Sequence, residues 1–235
     1  MAEFSLRKRK YAQTKSDLLN AVLAALDHKT LDAISVREIC EAVQVSEATF
    51  FNYFSVKRDV LAYYLQLWMV RVRAAVRDVT IQTESGICAI EAIFDETARI
   101  VSPHPGVMYE LVAYYAVGIP QGDPPPLTDA EIALHFSDLQ VVPLESKDLY
   151  DLLLEGLRQA MAHGELPQQT DTPSVLIILM NIFFSTFITA RLLSVGPEEI
   201  ARLYRQQLEL IWTGVRHAAQ REGQSGVVEA CDDPN

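Results

Sequence analysis

Glycine, proline and cysteine are scarce in this sequence. Its 235 residues include 10 glycines, 11 prolines and 3 cysteines, which excludes a collagen-like or low-complexity chain. The cysteines, Cys40, Cys88 and Cys231, are odd in number and far apart. This pattern excludes a disulfide scaffold and is typical of a reducing compartment, so we expect a cytoplasmic protein.

The sequence also lacks the short motifs of common catalytic and metal sites. It has no glycine-rich phosphate loop, no Gly-x-Ser-x-Gly or His-Glu-x-x-His motif, and no Cys/His spacing that would hold a metal ion. We therefore predict no catalytic residues, no metal and no cofactor. A helical enzyme is the weakest alternative, since the chain does contain serine, histidine and acidic residues.

A targeting or membrane segment is not expected either. Residues 1–20 carry charges but no continuous apolar run, so they do not form a signal peptide. Residues 175–193 are barely long enough to span a bilayer, contain several polar side chains and Arg191, and have no flanking Lys/Arg cluster. A helix that is apolar on nearly every side is also typical of a subunit interface, which we favour over a membrane.

The acidic charge is unevenly distributed. The formal net charge of −11 argues against nucleic-acid binding. Residues 1–60, however, carry nine Lys/Arg against eight Asp/Glu (net +1), and residues 61–235 carry eleven against twenty-three (net −12). The first segment begins with the basic residues Arg7, Lys8, Arg9, Lys10 and Lys15. Such a basic arm often binds nucleic acid, although a merely solubilising tail is equally consistent with it.

Helical spacing of apolar residues recurs throughout, and no segment alternates with period two. Capping boxes at Ser35 and Thr128 and a candidate helix-ending residue at Gly164 mark helix termini. We predict an all-α protein, with helices at residues 14–27, 35–43, 46–53, 57–79, 86–101, 107–117, 128–138, 146–163, from 172 to the Gly196-Pro197 pair, and 197–220.

The second and third predicted helices are separated by only two or three residues near Gln44. Two short helices joined in this way and braced by a first helix form a helix-turn-helix, which places the start of its second helix in the major groove of DNA. The pattern alone is weak, since many helical hairpins have short turns.

Residues 35–61, SVREICEAVQVSEATFFNYFSVKRDVL, closely resemble the DNA-binding domain of the TetR family. The matching elements are the capped second helix, the Val45-Ser46 pair, Thr49, the aromatic run that ends at Phe54, and the segment from Lys57 to Leu61. The tight match covers about residues 10–62. The resemblance implies a homodimeric transcriptional regulator, usually a repressor, whose helical C-terminal domain binds a small effector.

The resemblance and the residue chemistry together assign roles in DNA binding. Polar residues at helix ends and on the third helix are expected to contact phosphates: Ser35, Ser46, Thr49, Tyr53 and Lys57. Side chains of the second and third helices are expected to read bases: Arg37 on guanine, Asn52 on adenine, Glu47 on a cytosine amine and Ala48 on a thymine methyl. Two alternatives are equally consistent with the sequence: Glu47 could merely favour the helix N-terminus, and Arg37 could be a solvated charge. Phe50 and Phe54 are predicted to be core residues.

Two positions depart from the family pattern. The family often has glycine where this chain has Gln44, so we expect either a different turn or a strain of about 1 kcal/mol for a left-handed residue. The family often has tyrosine where this chain has Phe51, so the phosphate contact of that hydroxyl is missing.

The domain prediction follows from these roles. Residues 1–60 form a three-helix helix-turn-helix domain with its basic arm, residues 61–221 form an effector-binding and dimerisation domain, and residues 222–235 form a flexible tail. The predicted dimer interface contains Ile182, Ser185, Thr186, Ile188, Thr189, Leu208, Ile211 and Trp212. The predicted effector pocket contains Phe94, Met108, Tyr109, Tyr114, Tyr115 and Tyr150, although these residues could also be ordinary core.

The predicted partners are a palindromic double-stranded DNA operator, a second copy of the chain and a small, apolar or amphipathic effector, with no membrane. The alternative is a regulator that acts mainly through protein partners and binds DNA weakly. It stays open because the third helix contains no Lys or Arg.

Overall fold

The structure is a computed structural model that describes residues 4–116, 125–139 and 148–228. The described residues contain ten α-helices, one 3₁₀ turn at Pro197–Glu199 and no strand, which confirms the all-α class. The helices are α1 (Leu6–Leu26), α2 (Val36–Val43), α3 (Glu47–Tyr53), α4 (Asp59–Thr83), α5 (Gly86–Val101), α6 (Gly106–Ala116), α7 (Asp129–His135), α8 (Leu149–Ala162), α9 (Thr172–Leu192) and α10 (Ile200–Val228).

The start of α1 corrects the prediction of a basic arm. The helix begins at Leu6, where the Ser5 hydroxyl accepts a hydrogen bond from the amide of Lys8, rather than near residue 14. Arg, Lys, Gln, Ala and Leu dominate α1, and all of them are strong helix formers. The four basic residues at 7–10 are therefore exposed side chains on the first turns of a helix.

The other end of the chain also differs from the prediction. The backbone of α10 continues to Val228, whereas the sequence predicted that this helix ends near residue 220. Residues 221–228 contain no proline, so nothing in their sequence removes a helical N–H donor. Residues 229–235, the rest of the predicted tail, lie outside the described residues.

The chain divides into two compact units, Met1–Ala74 with Arg99–Leu144, and Ala75–Ala98 with Glu145–Asn235. In the first unit, α1 packs on α2, α6 and α7, and α2 packs on α3. Its core is formed by apolar side chains that are at most 4% exposed, among them Leu18, Val22, Ile39, Phe50, Phe54, Val60 and Leu61. Both aromatic residues that were predicted to be core, Phe50 and Phe54, are thus confirmed there.

A buried ion pair joins α1 to α7 in the first unit. The Lys15 ammonium lies 2.7 Å from Oε1 of Glu131, whose side chain is 1% exposed, and 4.0 Å from the centre of the Tyr63 ring of α4. Glu131 also accepts hydrogen bonds from the backbone N–H and hydroxyl of Thr128, which confirms the predicted capping box of α7. Lys15, expected as part of the basic arm, is consequently an interior residue.

The C-terminal end of α7 is held by α4. Arg71 donates a hydrogen bond to the carbonyl oxygen of His135 at 2.6 Å, and its guanidinium lies 5.3 Å from the centre of the Phe136 ring. The Tyr63 hydroxyl lies 3.2 Å from Nε2 of His135. Burial lowers the pKa of His135, and the nearby Arg71 and Lys15 lower it further against the opposing effect of Glu131.

The second unit is built around aromatic side chains of α5, α9 and α10. The ring of Tyr204 packs 4.9 Å from the ring of Phe94 and 5.9 Å from that of Phe187, and its hydroxyl donates to the carbonyl oxygen of Phe183 at 2.7 Å. Helix α9 packs on α8 and α10. Gly164 has a φ of +72°, which confirms its predicted role as the left-handed residue that ends α8.

Of the described helices, α9 alone has the length and apolar composition to cross a membrane. That is weak support for a membrane span, because the core helix of a soluble protein passes the same test. One side of α9 is buried within the second unit, and the other side exposes apolar side chains.

We predict that Lys15→Met destabilises the protein by about 3–5 kcal/mol, because it leaves the buried Glu131 carboxylate without its cation. Burial raises the pKa of Glu131, but the hydrogen bonds from Lys15 and Thr128 outweigh it and lower the pKa below 4.5. The ion pair therefore stabilises the protein fully at pH values above the pKa that Glu131 has in the unfolded chain. This stabilisation is lost as the pH falls through the lower pKa that Glu131 has in the folded chain. Urea unfolding at several pH values measures both effects.

The matched control is Lys29→Met, which removes the exposed ion pair between Lys29 and Glu38. Both side chains of that pair are 48% exposed, so the loss should be much smaller than that of Lys15→Met. Equal losses for the two variants would contradict the interior role of Lys15.

Candidate nucleic-acid interface

Two short, capped helices form the candidate DNA-binding site. The Ser35 hydroxyl accepts from the amide of Glu38, and the Glu38 carboxylate accepts from the amide of Ser35, as the sequence predicted. At the start of α3 the Ser46 hydroxyl accepts from the amide of Thr49 at 3.1 Å. Each cap satisfies amides that would otherwise have no partner, so short sequences suffice to fix both helix starts.

The turn between α2 and α3 is left-handed at Gln44, where φ is 59° and ψ is 45°. The amide of Gln44 donates to the carbonyl of Glu41, and that of Val45 donates to the carbonyl of Cys40 at 3.0 Å, which is a Schellman motif. Of the two alternatives predicted for this position, the structure therefore has the strained residue rather than a different turn.

Helix α3 has one buried side and one exposed side. Phe50 is fully buried, whereas Glu47, Ala48, Phe51 and Asn52 are exposed. The three residues that were predicted to read bases from α3 therefore share its solvent side with the half-exposed ring of Phe51. Nothing within the described chain covers this side, so it is free to enter a groove.

Tyr53, at the C-terminal end of α3, is positioned by a residue that the sequence analysis missed. The Tyr11 ring of α1 packs against it with ring centres 4.6 Å apart. Burial and the nearby Glu131 and Tyr53 raise the pKa of Tyr11. The contact joins residues far apart in sequence, so no local pattern indicated it.

Arg37 and Thr49 both have partners within the chain. The Arg37 guanidinium donates to the Glu41 carboxylate at 2.8 Å on an exposed surface, and the hydrogen bond to Glu41 raises the pKa of Arg37. Arg37 must exchange this carboxylate for a base to act as predicted. The Thr49 hydroxyl lies 2.8 Å from the Ser46 hydroxyl, and either of the two can be the donor. The hydroxyl that accepts this hydrogen bond keeps its own proton, which it can donate to a phosphate oxygen.

Lys57 lies in a different setting from the one expected. Its ammonium donates to the carbonyl oxygens of Ile34 at 2.6 Å and Asp32 at 3.3 Å, so it ties the segment before α2 to the segment before α4. The start of α4 carries its own acid, Asp59, whose carboxylate accepts from the amide of Val56. Lys57 therefore has a structural role within the chain, and one N–H of its ammonium remains to donate to a phosphate.

Lys29 supports the Ser35 cap and was also missed. Its ammonium lies 2.5 Å from the Glu38 carboxylate, and this hydrogen bond, with those from Ser35, lowers the pKa of Glu38 to about 2. Glu38 therefore keeps its negative charge, and the capping box keeps both hydrogen bonds, at any pH the cell experiences.

The residues predicted to line an effector pocket fall in both units. Met108, Tyr109, Tyr114 and Tyr115 belong to the first, and Phe94 and Tyr150 to the second. Phe94 is fully buried between aromatic rings, whereas Tyr115 and Tyr150 are 37% and 51% exposed. Their shared role in one pocket stays a prediction.

The residues predicted for the dimer interface divide into two groups. Ile182, Thr186, Leu208 and Trp212 are at most 8% exposed and lie in the core of the second unit. Trp212 donates to the Glu91 carboxylate, and the Thr186 hydroxyl donates to the carbonyl of Ile182. Ser185, Ile188 and Thr189 are exposed, and Ile211 is half-buried. Only this second group can offer its side chains to another molecule without unfolding the core.

We predict that Gln44→Gly raises the stability by up to about 1 kcal/mol, because glycine removes the left-handed penalty. Gln44→Val should lower it, since a β-branched residue fits this conformation worst. The same exchange inside a helix, Gln13→Gly, is the matched control and should cost about 1 kcal/mol. Thermal unfolding of the three variants measures this, and destabilisation by Gln44→Gly would contradict the left-handed turn.

Residues 18–64, which span the helix-turn-helix and the start of α4, match the family described as "Bacterial regulatory proteins, tetR family". No curated protein matches the chain in sequence.

Several solved structures share the fold. The fatty acid degradation regulator FadR from Bacillus halodurans has a TM-score of 0.63 and 16% identity, over 86% of this chain and 96% of its own. The ketosteroid transcriptional regulator KstR2 of Mycobacterium tuberculosis has a TM-score of 0.60 and 15% identity, over 86% and 94%. FadR from Bacillus subtilis has a TM-score of 0.61 and 12% identity, over 85% and 98%. Residues 18–64 thus resemble the tetR family in sequence, and the chain shares its fold with these regulators.

Proposed function

We propose that the chain is a cytoplasmic, homodimeric repressor that binds a palindromic operator through α3 and is released by a small, apolar or amphipathic effector. The observation that carries the proposal is the solvent side of α3. A short helix packed on its core by Phe50, capped by Ser46 and exposing Glu47, Ala48 and Asn52 is the arrangement that reads a major groove.

Phosphate contacts would come from the helix ends and from α1. Ser35 and Ser46 lie at the starts of α2 and α3, where backbone amides favour an anion, and Thr49 and Tyr53 add hydroxyl groups. The exposed cations Arg7, Lys8, Arg9 and Lys10 extend the basic surface from α1. Residues 61–235 carry a net charge of −12, so the operator contact is assigned to the first sixty residues.

The exposed side of α9 supports the homodimer. Residues 177, 181, 185, 188 and 192 recur every three or four positions along it, and Ile177, Ile188 and Leu192 are 63%, 39% and 78% exposed. The stripe also contains Asn181 and Ser185, so its large side chains are apolar and its middle is polar. Large exposed apolar side chains that recur along one helix are typical of a subunit interface. Two recognition helices related by a twofold axis would enter successive major grooves if they lie about 34–36 Å apart.

The class of effector is suggested by the relatives. The FadR structure from Bacillus subtilis is a complex with stearoyl-CoA, and KstR2 is described as a ketosteroid regulator. Both names contain a large hydrocarbon group, a stearoyl chain in one and a steroid skeleton in the other, and the predicted pocket residues are mostly aromatic. To release DNA, the effector must bind the DNA-incompetent conformation more tightly than the competent one.

The domain division belongs to the same proposal. Residues 1–60 would bind DNA, residues 61–221 would bind the effector and the second subunit, and residues 222–235 would form a tail.

We predict that two residues of α3, Asn52 and Thr49, contribute to operator binding in different ways. Duplexes selected from a random-sequence pool define the operator, and Asn52→Ala should weaken binding to the selected sequence by about 1–3 kcal/mol while relaxing preference at one base pair. Thr49→Ala should weaken binding to all duplexes alike. Fluorescence anisotropy on selected and scrambled duplexes measures both effects.

Glu155→Ala, on the exposed side of α8, is the control and should leave DNA affinity unchanged. If Thr49→Ala and Asn52→Ala also leave it unchanged, α3 is not the recognition helix. If the chain selects no duplex, the alternative of a regulator that acts through protein partners is supported.

The dimer has its own test. Ile188→Arg with Leu192→Arg places two cations in the proposed interface and should yield a monomer at micromolar concentration that has lost its operator affinity. Ile81→Arg, at an equally apolar residue of α4 that is 73% exposed, should leave the dimer intact. Sedimentation velocity measures the state, and a monomeric wild-type chain would contradict the proposal.

A further inference from the structure

A groove of about 560 Å³ lies between the first turns of α1 and the start of α7 in the first unit. Ser5, Arg7, Lys8 and Tyr11 line one wall, and Leu127, Thr128, Asp129 and Ala130 line the other. The volume falls within the roughly 300–1,000 Å³ that is common for small-molecule sites. None of these residues was predicted to bind an effector.

The charges of the lining favour an anion. Arg7 and Lys8 face a single carboxylate, that of Asp129, and neither cation forms an ion pair with another described residue. The hydroxyl groups of Ser5 and Tyr11 add donors near the two cations, whereas the Thr128 hydroxyl already donates to Glu131. An anionic group would therefore gain charge-assisted hydrogen bonds there.

The remaining lining is apolar. Leu127 and the ring of Tyr11 provide carbon surface, and Ala130, which is only 6% exposed, adds little to it. The phosphodiester backbone of a duplex would gain little from such an apolar surface, because the backbone presents charged and polar groups. The lining therefore fits a molecule with one anionic end and one apolar end better than it fits DNA.

We propose that this groove is a binding site for a small amphipathic anion, such as an aliphatic carboxylate, held by Arg7 and Lys8. The site is separate from the effector pocket predicted from the sequence, because it contains none of the six residues assigned to that pocket.

The position of the groove links it to the DNA-facing helix. Tyr11 lines the groove and also packs against Tyr53 of α3, while Thr128 and Ala130 flank the start of α7, whose Glu131 is paired with Lys15. A ligand in the groove thus contacts both the residue that positions Tyr53 and the helix that is tied to α1. A ligand in the groove would therefore lie beside the Tyr11–Tyr53 contact of α1 and α3.

The test is a titration of the full chain with decanoate, without DNA, by isothermal titration calorimetry. Decanoate should bind at one site per chain, and its neutral analogue 1-decanol should bind at least tenfold more weakly. Arg7→Gln with Lys8→Gln should weaken decanoate binding tenfold or more. The matched variant Arg9→Gln with Lys10→Gln removes the same charge from residues outside the groove and should change the affinity less than twofold.

Equal losses in the two double variants would overturn the proposal, because they would show only a general attraction of anions to the basic turns. Equal affinity for decanol and decanoate would overturn it as well. If the Arg7→Gln/Lys8→Gln variant binds decanoate normally but loses affinity for a random-sequence duplex, the groove serves DNA and the proposal is wrong. Because the titration contains no DNA, its outcome is independent of whether the chain binds an operator.

Discussion

The buried ion pair between Lys15 and Glu131 determines how the first unit is assembled. A carboxylate that is 1% exposed is tolerable only with a cation and hydrogen-bond donors around it, and Lys15 and Thr128 supply them. The pair sets α7 against α1, the Lys15 ammonium lies over the Tyr63 ring of α4, and Arg71 of α4 holds the other end of α7. The short helix α7 is thus held between α1, which precedes α2, and α4, which follows α3.

An acidic chain can still bind DNA because its charge is separated along the sequence. The residues after position 60 carry a net charge of −12, while residues 1–60 carry +1, with four cations on the first turns of α1. Since α3 itself has no Lys or Arg, the proposed operator contact would use the shape and hydrogen bonding of α3, and the electrostatic part of the affinity would come from α1 and from helix ends. Sequence-independent binding should accordingly be modest, so occupancy of a site depends on base recognition and on a second subunit.

Local interactions were predictable from the sequence, and distant ones were not. The capping boxes at Ser35 and Thr128, the cap at Ser46 and the left-handed Gly164 each depend on residues within a few positions of one another, and all are present. The early start of α1 was missed because its first turns have no apolar stripe. Lys15 pairs with a residue 116 positions away, Lys57 with one 23 positions away, and Tyr11 packs on one 42 positions away. Neither the spacing nor the composition of the sequence indicates such distant partners.

The claim that this acidic chain is a DNA-binding regulator is tested most directly by the salt dependence of its affinity for a selected duplex. Binding to phosphates releases counterions, so the account predicts that the affinity falls roughly tenfold to a hundredfold between about 50 and 200 mM salt, with the selected sequence preferred at every concentration. An affinity that does not change with salt, or that is the same for selected and scrambled sequences, would contradict it.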